Sequence, residues 1–369
     1  MGYVAVQGGI AAIENSQALN RYLRMRGSSV PLSIAQIMEQ MGPLVDRVMS
    51  EGGLYSPFHA ALAVKQASGD SIEASFLLRA YRSTLRRMVD SLPVRSDRMR
   101  ILRRISSAFK TIPGGQVLGS TSDYEQRILD FSLAHETEKT QREVVQEFER
   151  SLAYGVLSDA GPLEPESFLK VVDLLREQGL VPPALAPTAD PAAPTDITQH
   201  STELPLDRSG RLQMLARAET GGVLALAYSS MRGYGSVHPT IAELRVGHVR
   251  VQIPHPFRPG ENVTIGWILL TEVEVVASVQ RSDAEEKPVF SLGYGACFGH
   301  NEVKAISMAV LDRAMKSSSP HAPAEDQEFV LLHTDGIESS GFCSHFKLPH
   351  YVTFQADLDR LRDLRGNAE

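Results

Sequence analysis

The sequence predicts an α+β fold, with a mainly helical N-terminal half and a C-terminal half that contains a mixed or antiparallel sheet flanked by helices. Helical periodicity dominates up to about residue 180, and β-branched or alternating segments become frequent beyond residue 205. Between them, residues 182–205 are rich in proline and alanine and cannot build a core. We therefore predict a helical domain over residues 1–181, a linker or surface loop over 182–205 and an α+β domain over 206–369.

Composition is that of a soluble globular protein. The 369 residues are enough for two or three domains, and 43% hydrophobic with 22% charged residues is ordinary for this class. A net charge of −7 gives no general reason to expect nucleic-acid binding. No apolar run has the length of a membrane span, and Cys297 and Cys343 are too few for a disulfide framework. These observations favour a cytoplasmic location.

The N-terminal half begins with a short β-prone segment at residues 3–7 and continues with helices. Residues 32–50 place apolar side chains three and four positions apart, and Gly52-Gly53 provides a stop. Ser56-Pro57 is typical of a helix start, and Asp70-Ser71-Ile72-Glu73 has the form of a capping box. We expect these helices to form a bundle-like layer.

A basic segment at residues 95–110 interrupts the otherwise acidic chain, and its apolar residues favour an amphipathic basic helix. Its charged face would either be solvated or bind a polyphosphate or an acidic partner. The glycines of residues 112–119 predict a tight loop, and residues 122–154 predict a long polar helix at a surface or an interface.

The C-terminal half contains four predicted strands and two predicted helices. The strands are expected at residues 223–228, 246–253, 263–276 and 328–333, and the helices at 301–316 and 357–364. Glu272 and Glu274 are two positions apart and therefore share one face of their strand. Such a pair on an outward face is either solvated or serves as ligands or as an acid and a base.

Two glycine-bearing stretches are candidates for phosphate binding. Arg232 and His238 flank a glycine-rich stretch, whereas Gly293 and Gly295 precede a predicted helix whose N–H groups and dipole favour an anion. Neither stretch has the spacing of a P-loop or of the dinucleotide fingerprint.

The segment 341–350 brings together His345, His350, Lys347 and Cys343. Pro349 prevents a plain helix, so the two histidines are not expected on one helical turn, although a bent loop would bring both to one cation. Zinc commonly binds histidine nitrogens, but two ligands are an incomplete site and isolated surface histidines are the alternative. The Cys343 thiol is either activated or buried and inert.

Several separate motifs, in the same order along the chain, resemble the PhnI family, a subunit of bacterial carbon–phosphorus lyase. They are residues 3–9, 65–70, 76–82, 112–116, 224–229, Arg232-Gly233-Tyr234-Gly235 and residues 347–352. The similarity runs through both halves and lapses between about residues 134 and 202.

The resemblance implies a multi-subunit enzyme of phosphonate metabolism. In this family, the I subunit acts together with the G, H and ATPase-like L subunits. They are assigned the displacement of adenine from C1′ of ATP by a phosphonate, which gives α-D-ribose 1-alkylphosphonate 5-triphosphate. The I subunit is also similar to a nucleosidase that acts on ATP or GTP. The core complex combines G, H, I and J subunits, with two copies of each chain expected and K and L as further partners. The family's zinc-binding histidine pair, at the boundary with the radical J subunit, falls on His345 and His350.

Breaking an N-glycosidic bond builds positive charge on the ribose, which a carboxylate such as Asp335 or Glu272 would stabilise. Arg232, Lys347 and the loop 293–299 would hold phosphates. One alternative is a non-catalytic scaffold subunit that contributes a zinc ligand pair at a subunit interface. A weaker alternative is a nucleic-acid binder acting through residues 95–110, which the acidic net charge disfavours.

Overall fold

The computed structural model describes residues 9–153, 166–184, 194–233, 237–280, 288–317, 320–348 and 350–366. Within these residues the fold is α+β, as the sequence predicts, with helices throughout and one antiparallel sheet. The β-prone segment at residues 3–7 lies outside the described part. No helix in the described ranges combines the length and the apolar character that a membrane crossing requires.

A helical layer forms the first part of the chain. Its members are α1 (Gly9–Met25), α2 (Ile34–Gln40), α3 (Gly42–Gly52), α4 (Pro57–Gln66) and α5 (Ser71–Ser83). The helix predicted over residues 32–50 is divided at Met41, because Pro43 starts a new helix in its first turn. Gly53 ends α3 in the left-handed conformation with φ = 66°. Asp70 caps α5 by accepting hydrogen bonds from the Ile72 and Glu73 amides.

The sheet consists of β1 (Arg100–Ile105), β2 (Thr240–Pro254), β3 (Asn262–Gln280) and β4 (Val289–Phe298). Its strands are antiparallel and lie in the order β1-β2-β3-β4. The strands predicted at residues 246–253 and 263–276 are confirmed within β2 and β3.

Eight further helices complete the described fold. They are α6 (Glu138–Ala153), α7 (Val171–Glu177), α8 (Arg208–Arg217), α9 (Thr220–Met231), α10 (Glu302–Ala314), α11 (Gln327–His333), α12 (Gly336–His345) and α13 (Tyr351–Gly366). The helices predicted at residues 301–316 and 357–364 are therefore confirmed, whereas the one predicted at 122–154 begins only at Glu138. Helix α10 covers one face of the sheet, and the main core lies between them.

The basic segment at residues 95–110 is not a helix. It forms a single 3-10 turn and then β1, whose backbone groups pair with β2. Arg103 is 2% exposed and pairs with Glu302 at 2.7 Å and with Asp123, while the buried Arg104 pairs with Glu243. The helical interpretation was wrong because the strand is stabilised by a neighbour and by carboxylates that lie far away in the sequence.

Two predicted strands are helices. Residues 223–228 lie in α9, which Glu219 caps through the Gly221 and Gly222 amides at 2.8 and 2.7 Å. Residues 328–333 lie in α11, which Asp326 caps through the Phe329 amide. A short apolar run is compatible with a buried strand and with a buried helix. Here the capping hydrogen bonds at the first turn stabilise the helix.

The predicted division at residues 182–205 stays a prediction. Strand β1, which precedes those residues, pairs with β2, which follows them. The sheet is therefore built from both sides of the proposed boundary.

Candidate functional site

The face of the sheet opposite α10 carries a buried cluster of charges. On β2, Leu244 and Val246 belong to the core beneath α10, so the alternation of the strand turns Glu243 and Arg245 to the other face. Glu272 and Glu274 of β3 reach the same side. All four residues are at most 5% exposed. Of the two alternatives for the glutamate pair, solvation on an outward face does not apply, because side chains from other elements contact Glu272.

Arg245 is the centre of this cluster. Its guanidinium lies 2.6 Å from Glu272 Oε2, 3.0 Å from Glu274 Oε2 and 2.7 Å from Glu243 Oε2. Glu243 is also paired with Arg104 and accepts a hydrogen bond from the Val171 amide at 2.9 Å. A buried carboxylate is costly without a partner, so these contacts hold the cluster together.

Glu272 receives hydrogen bonds from three elements besides β2. Its Oε1 accepts from the Ser96 hydroxyl at 2.8 Å, the Tyr294 hydroxyl at 2.9 Å and the Lys170 ammonium at 3.3 Å. Burial alone would raise the pKa of Glu272, but the positive charges of Arg245 and Lys170 and the hydrogen bonds lower it to about 2. Glu272 is thus an ionised carboxylate.

Glu274 behaves in the opposite way. Burial raises the pKa of its carboxyl and Glu272 adds to the rise, while Arg245 only partly opposes it. Two neighbouring carboxyl groups whose pKa values are moved apart are a common arrangement at acid–base sites.

A cleft of about 1080 Å³ opens over this cluster. Glu272, Glu274 and Tyr294 line it from the sheet, and Lys170 lines it from the segment before α7. Its volume is slightly above the range of about 300–1,000 Å³ that is usual for small-molecule sites. The cleft therefore combines an acidic floor with the space for a ligand of nucleotide size.

Asp335 lies elsewhere, at the start of α12. Its Oδ1 caps the helix through the Ile337 amide at 3.2 Å, and its Oδ2 accepts from Arg79 Nη1 at 2.6 Å. The carboxylate is 4% exposed and does not line the cleft over Glu272. Through these contacts Asp335 links α5 to the start of α12.

His345 and His350 come together at the other end of α12. His345 is the last residue of the helix and His350 precedes α13, so the rings meet across a turn, with centroids 5.1 Å apart. Pro349 lies outside the described residues. Because α12 has ten residues with a rise of about 1.5 Å each, roughly 15 Å separate this pair from Asp335.

The geometry of the pair suits two metal ligands but not a complete site. Nδ1 of His350 donates to the Leu348 carbonyl at 2.6 Å, and Nδ1 of His345 donates to the Phe342 carbonyl. These bonds favour the tautomer that leaves the Nε2 lone pair available for a metal. No cluster of three or more histidine, cysteine, aspartate or glutamate residues with metal-binding geometry occurs within the described ranges.

The remaining predicted residues are dispersed. Arg232 and His238 are exposed on either side of residues 234–236, which lie outside the described part, and Lys347 is exposed after α12. Cys343 is exposed rather than buried, whereas Cys297 is the buried cysteine.

The segment with Gly293 and Gly295 is strand β4 and not an anion-binding loop. A Cβ atom at Gly293 would lie 2.0 Å from the Ala309 carbonyl, and one at Gly295 would lie 2.2 Å from the Ala305 carbonyl. These glycines therefore allow α10 to approach the sheet closely, and the predicted phosphate loop is wrong.

Sequence reasoning missed Arg245, Lys170 and Tyr294. A signal was present for the first, because Glu243 and Arg245 alternate with Leu244 and Val246 on a strand. Charges at every second position of an otherwise apolar strand indicate a polar face that is either solvated or internally paired.

Comparisons with known proteins extend over the whole chain. The family model described as bacterial phosphonate metabolism protein (PhnI) matches residues 2–368. A protein of Stutzerimonas stutzeri called HtxH, provisionally named a C-P lyase subunit, is 53% identical over 374 aligned positions that cover 100% of this chain and 97% of that protein.

Two further relatives carry the name alpha-D-ribose 1-methylphosphonate 5-triphosphate synthase subunit PhnI. The protein of Escherichia coli (strain K12) is 45% identical and that of Rhizobium meliloti (strain 1021) is 44% identical. Each match covers 98% of this chain, with 98% of the Escherichia coli protein and 95% of the Rhizobium protein aligned. The chain therefore belongs to the PhnI family of bacterial phosphonate metabolism proteins.

Proposed function

We propose that this chain is a subunit of a carbon–phosphorus lyase system and takes part in forming α-D-ribose 1-alkylphosphonate 5-triphosphate from ATP and a phosphonate. The observation that carries the proposal is the identity of 44–45%, over almost the entire chain, to two proteins named as subunits of that synthase. In the reaction, a phosphonate oxygen bonds to C1′ of the ribose as the C1′–N9 bond to adenine breaks. With water in place of the phosphonate, the same bond cleavage would be a nucleosidase reaction.

Glu272 is the better candidate of the two predicted catalytic carboxylates. Positive charge develops on the ribose ring as the glycosidic bond breaks, and an ionised carboxylate nearby stabilises it. Glu272 has a pKa of about 2 and lines a cleft large enough for the substrate. Asp335 is engaged by Arg79 and by the end of α12.

His345 and His350 are proposed as two ligands of a zinc ion whose remaining ligands come from a partner subunit, water or substrate. Bound there, zinc would supply a Lewis acid that orients an oxygen of the phosphonate or of the sugar phosphonate. The surrounding surface supports a subunit contact, because Phe342 and Phe346 are 65% and 63% exposed beside the imidazoles. The proposed partners are the G, H and J subunits, with two copies of each chain in the core, and the ATPase-like K and L subunits.

The proposal is tested with the chain co-expressed and purified with these partner subunits. Incubation with ATP and methylphosphonate should release adenine and give a sugar phosphonate that 31P NMR detects. Glu272→Gln should lower kcat about 100-fold or more, since removing one charge-stabilising group typically costs 10²–10³. Asp335→Asn, a matched control at a carboxylate outside the cleft, should lower thermal stability and leave kcat within a few-fold of the wild type.

The scaffold alternative predicts a different pattern. His345→Ala and His350→Ala should each reduce the zinc content of the purified complex if the pair binds the metal. Adenine release that is unaffected by Glu272→Gln, together with assembly that depends on the two histidines, would favour a non-catalytic scaffold.

A further inference from the structure

Two cations, Arg208 and Lys316, belong to the lining of the cleft over Glu272, and Arg211 lies beside them. The part of the lining formed by Arg208 and Lys316 is called the basic end below. Asp312 pairs with Arg211 at 3.0 Å and with Lys316 at 2.8 Å. A hydrogen bond from the Gly210 amide lowers the pKa of Asp207, and the charge of Arg211 contributes. Two carboxylates therefore lie beside the three cations. Burial lowers the pKa of Lys316 and the charges of Arg208 and Arg211 contribute, although Asp312 opposes the shift. Like charges held together in a cleft favour the binding of an anion.

Arg208 is the cation best placed to meet a ligand. Arg208 is an exposed residue, and its guanidinium stacks over the ring of Tyr294 with 5.4 Å between Cζ and the ring centroid. Tyr294 in turn donates to Glu272 at 2.9 Å. The Tyr294 side chain therefore contacts both Arg208 at the basic end of the cleft and Glu272 on its acidic floor.

We propose that this cleft is the binding site for the nucleotide substrate, with the 5′-triphosphate at the basic end formed by Arg208 and Lys316 and the ribose over the floor formed by Glu272, Glu274 and Tyr294. The choice of ligand rests on the proposed function. The orientation follows from which cations are already engaged: Arg208 is exposed, whereas the cations beside the floor carboxylates are paired with them. The polyphosphate would therefore meet Arg208 and Lys316, and the ribose carbon that becomes positive would lie near Glu272. A reversed orientation would bring the phosphates to cations that Glu272 and Glu274 already engage.

This assignment differs from the phosphate-binding loop predicted at Gly293 and Gly295. Gly293 and Gly295 contact α10 and do not face a ligand. Arg208 and Lys316 were missed because they lie more than 100 residues apart and meet only in the folded chain.

Binding is measured by isothermal titration of the full chain, alone and in the assembled complex, with ATP and with inorganic tripolyphosphate. Arg208→Ala and Lys316→Ala should each weaken binding of both ligands by about 10-fold or more, because a hydrogen bond to a charged group is lost. Arg208→Lys should recover part of the affinity, since the charge is kept and the planar fork is lost. Arg258→Ala removes an exposed arginine that pairs with Glu261 outside the cleft, and it should bind both ligands as the wild type does.

A second measurement needs no variant. Saturating ATP should protect Lys316 from acetylation by an amine-specific reagent, as read by mass spectrometry, while Lys139, whose side chain is 81% exposed on α6, stays equally reactive. Unchanged labelling of Lys316 together with wild-type affinity of Arg208→Ala would overturn the assignment. A third outcome separates this site from the proposed function. If Arg208→Ala and Lys316→Ala weaken ATP binding but the complete complex releases no adenine, the binding site is supported and the proposed function is contradicted.

Discussion

Lys304 brings an ammonium group into the core where α10 meets α3. Its side chain is fully buried, and Nζ donates to the Ser50 hydroxyl at 2.8 Å and to the Ala216 carbonyl at 2.6 Å. Burial lowers the pKa of Lys304 from 10.5 to about 8, even though Cys297 and Glu51 favour the charged form. The native state therefore releases this proton at a lower pH than the unfolded chain. Between about pH 8 and 10.5 the unfolded state binds more protons, so Lys304 makes the native state relatively more stable as pH rises.

Replacing Lys304 by methionine removes this pH dependence. The free energy of unfolding of the wild type minus that of Lys304→Met should increase by about 2 kcal/mol between pH 7.5 and 9.5, since each unit of pKa shift corresponds to about 1.4 kcal/mol. Urea unfolding at both pH values, followed by circular dichroism, measures the difference. Lys139→Met, at a position with an 81% exposed side chain, should show no such increase. Parallel curves for the wild type and Lys304→Met would contradict the lowered pKa.

At the residue scale, the sequence indicated which residues have side chains suited to catalysis or metal binding, but not whether those side chains line a cleft or cap a helix. It singled out Glu272, which lines a cleft, and His345 with His350, whose rings are 5.1 Å apart. It also singled out Asp335, a helix cap. The sequence does not distinguish a carboxylate that caps a helix from one that lines a cleft. The difference depends on partners distant in the sequence: Arg79 contacts Asp335, and Arg245 contacts Glu272.

At the scale of elements, the interface between β4 and α10 depends on the absence of two side chains. Adding a Cβ at Gly295 would place it 2.2 Å from the Ala305 carbonyl and 2.9 Å from the Ala309 nitrogen, both backbone atoms of α10. Backbone atoms of a packed helix cannot move aside as the end of a flexible side chain can. The helix as a whole would have to shift away from the sheet.

We therefore expect Gly295→Ala to lower the free energy of unfolding by about 3 kcal/mol, at the upper end of the range for overpacking in a core. The matched control is Gly341→Ala within α12, where nothing lies within 4 Å of the added Cβ. That change should be neutral or stabilising by up to about 1 kcal/mol, because alanine is the better helix former. Urea unfolding at neutral pH compares the two variants, and equal stability would show that α10 does not pack as described.

The elements that sequence reasoning located correctly are those whose signals are local. The start of α4 at Pro57, the Asp70 cap of α5 and the end of α3 at Gly53 all depend on residues within one turn. In contrast, β1 exists because β2 pairs with it and because Glu243 neutralises Arg104. No window of the sequence around residues 95–110 contains those partners.

At the scale of the whole molecule, buried polar contacts join the first 181 residues to the rest. Arg104 pairs with Glu243, Arg79 donates to Asp335 at 2.6 Å, and Thr220 Oγ1 donates to Glu51 at 2.7 Å. Each contact pairs one residue from before the proline- and alanine-rich stretch with one from after it. Separating the two parts would leave buried carboxylates without partners on both sides, in addition to removing β1 from the sheet.

A fragment of residues 206–369 should therefore fail to fold by itself. Loss of one partner from a buried ion pair costs about 3–5 kcal/mol, and several such losses exceed the stability of about 5–15 kcal/mol that is typical of a native protein. The control is the chain truncated after residue 350, because α13 contains no buried residue and its removal should leave the urea midpoint nearly unchanged. Far-UV and near-UV circular dichroism with urea titration distinguishes the outcomes. Cooperative unfolding of the isolated fragment would mean that the sheet is stable without β1 and that the proposed boundary at residues 182–205 separates two independent domains.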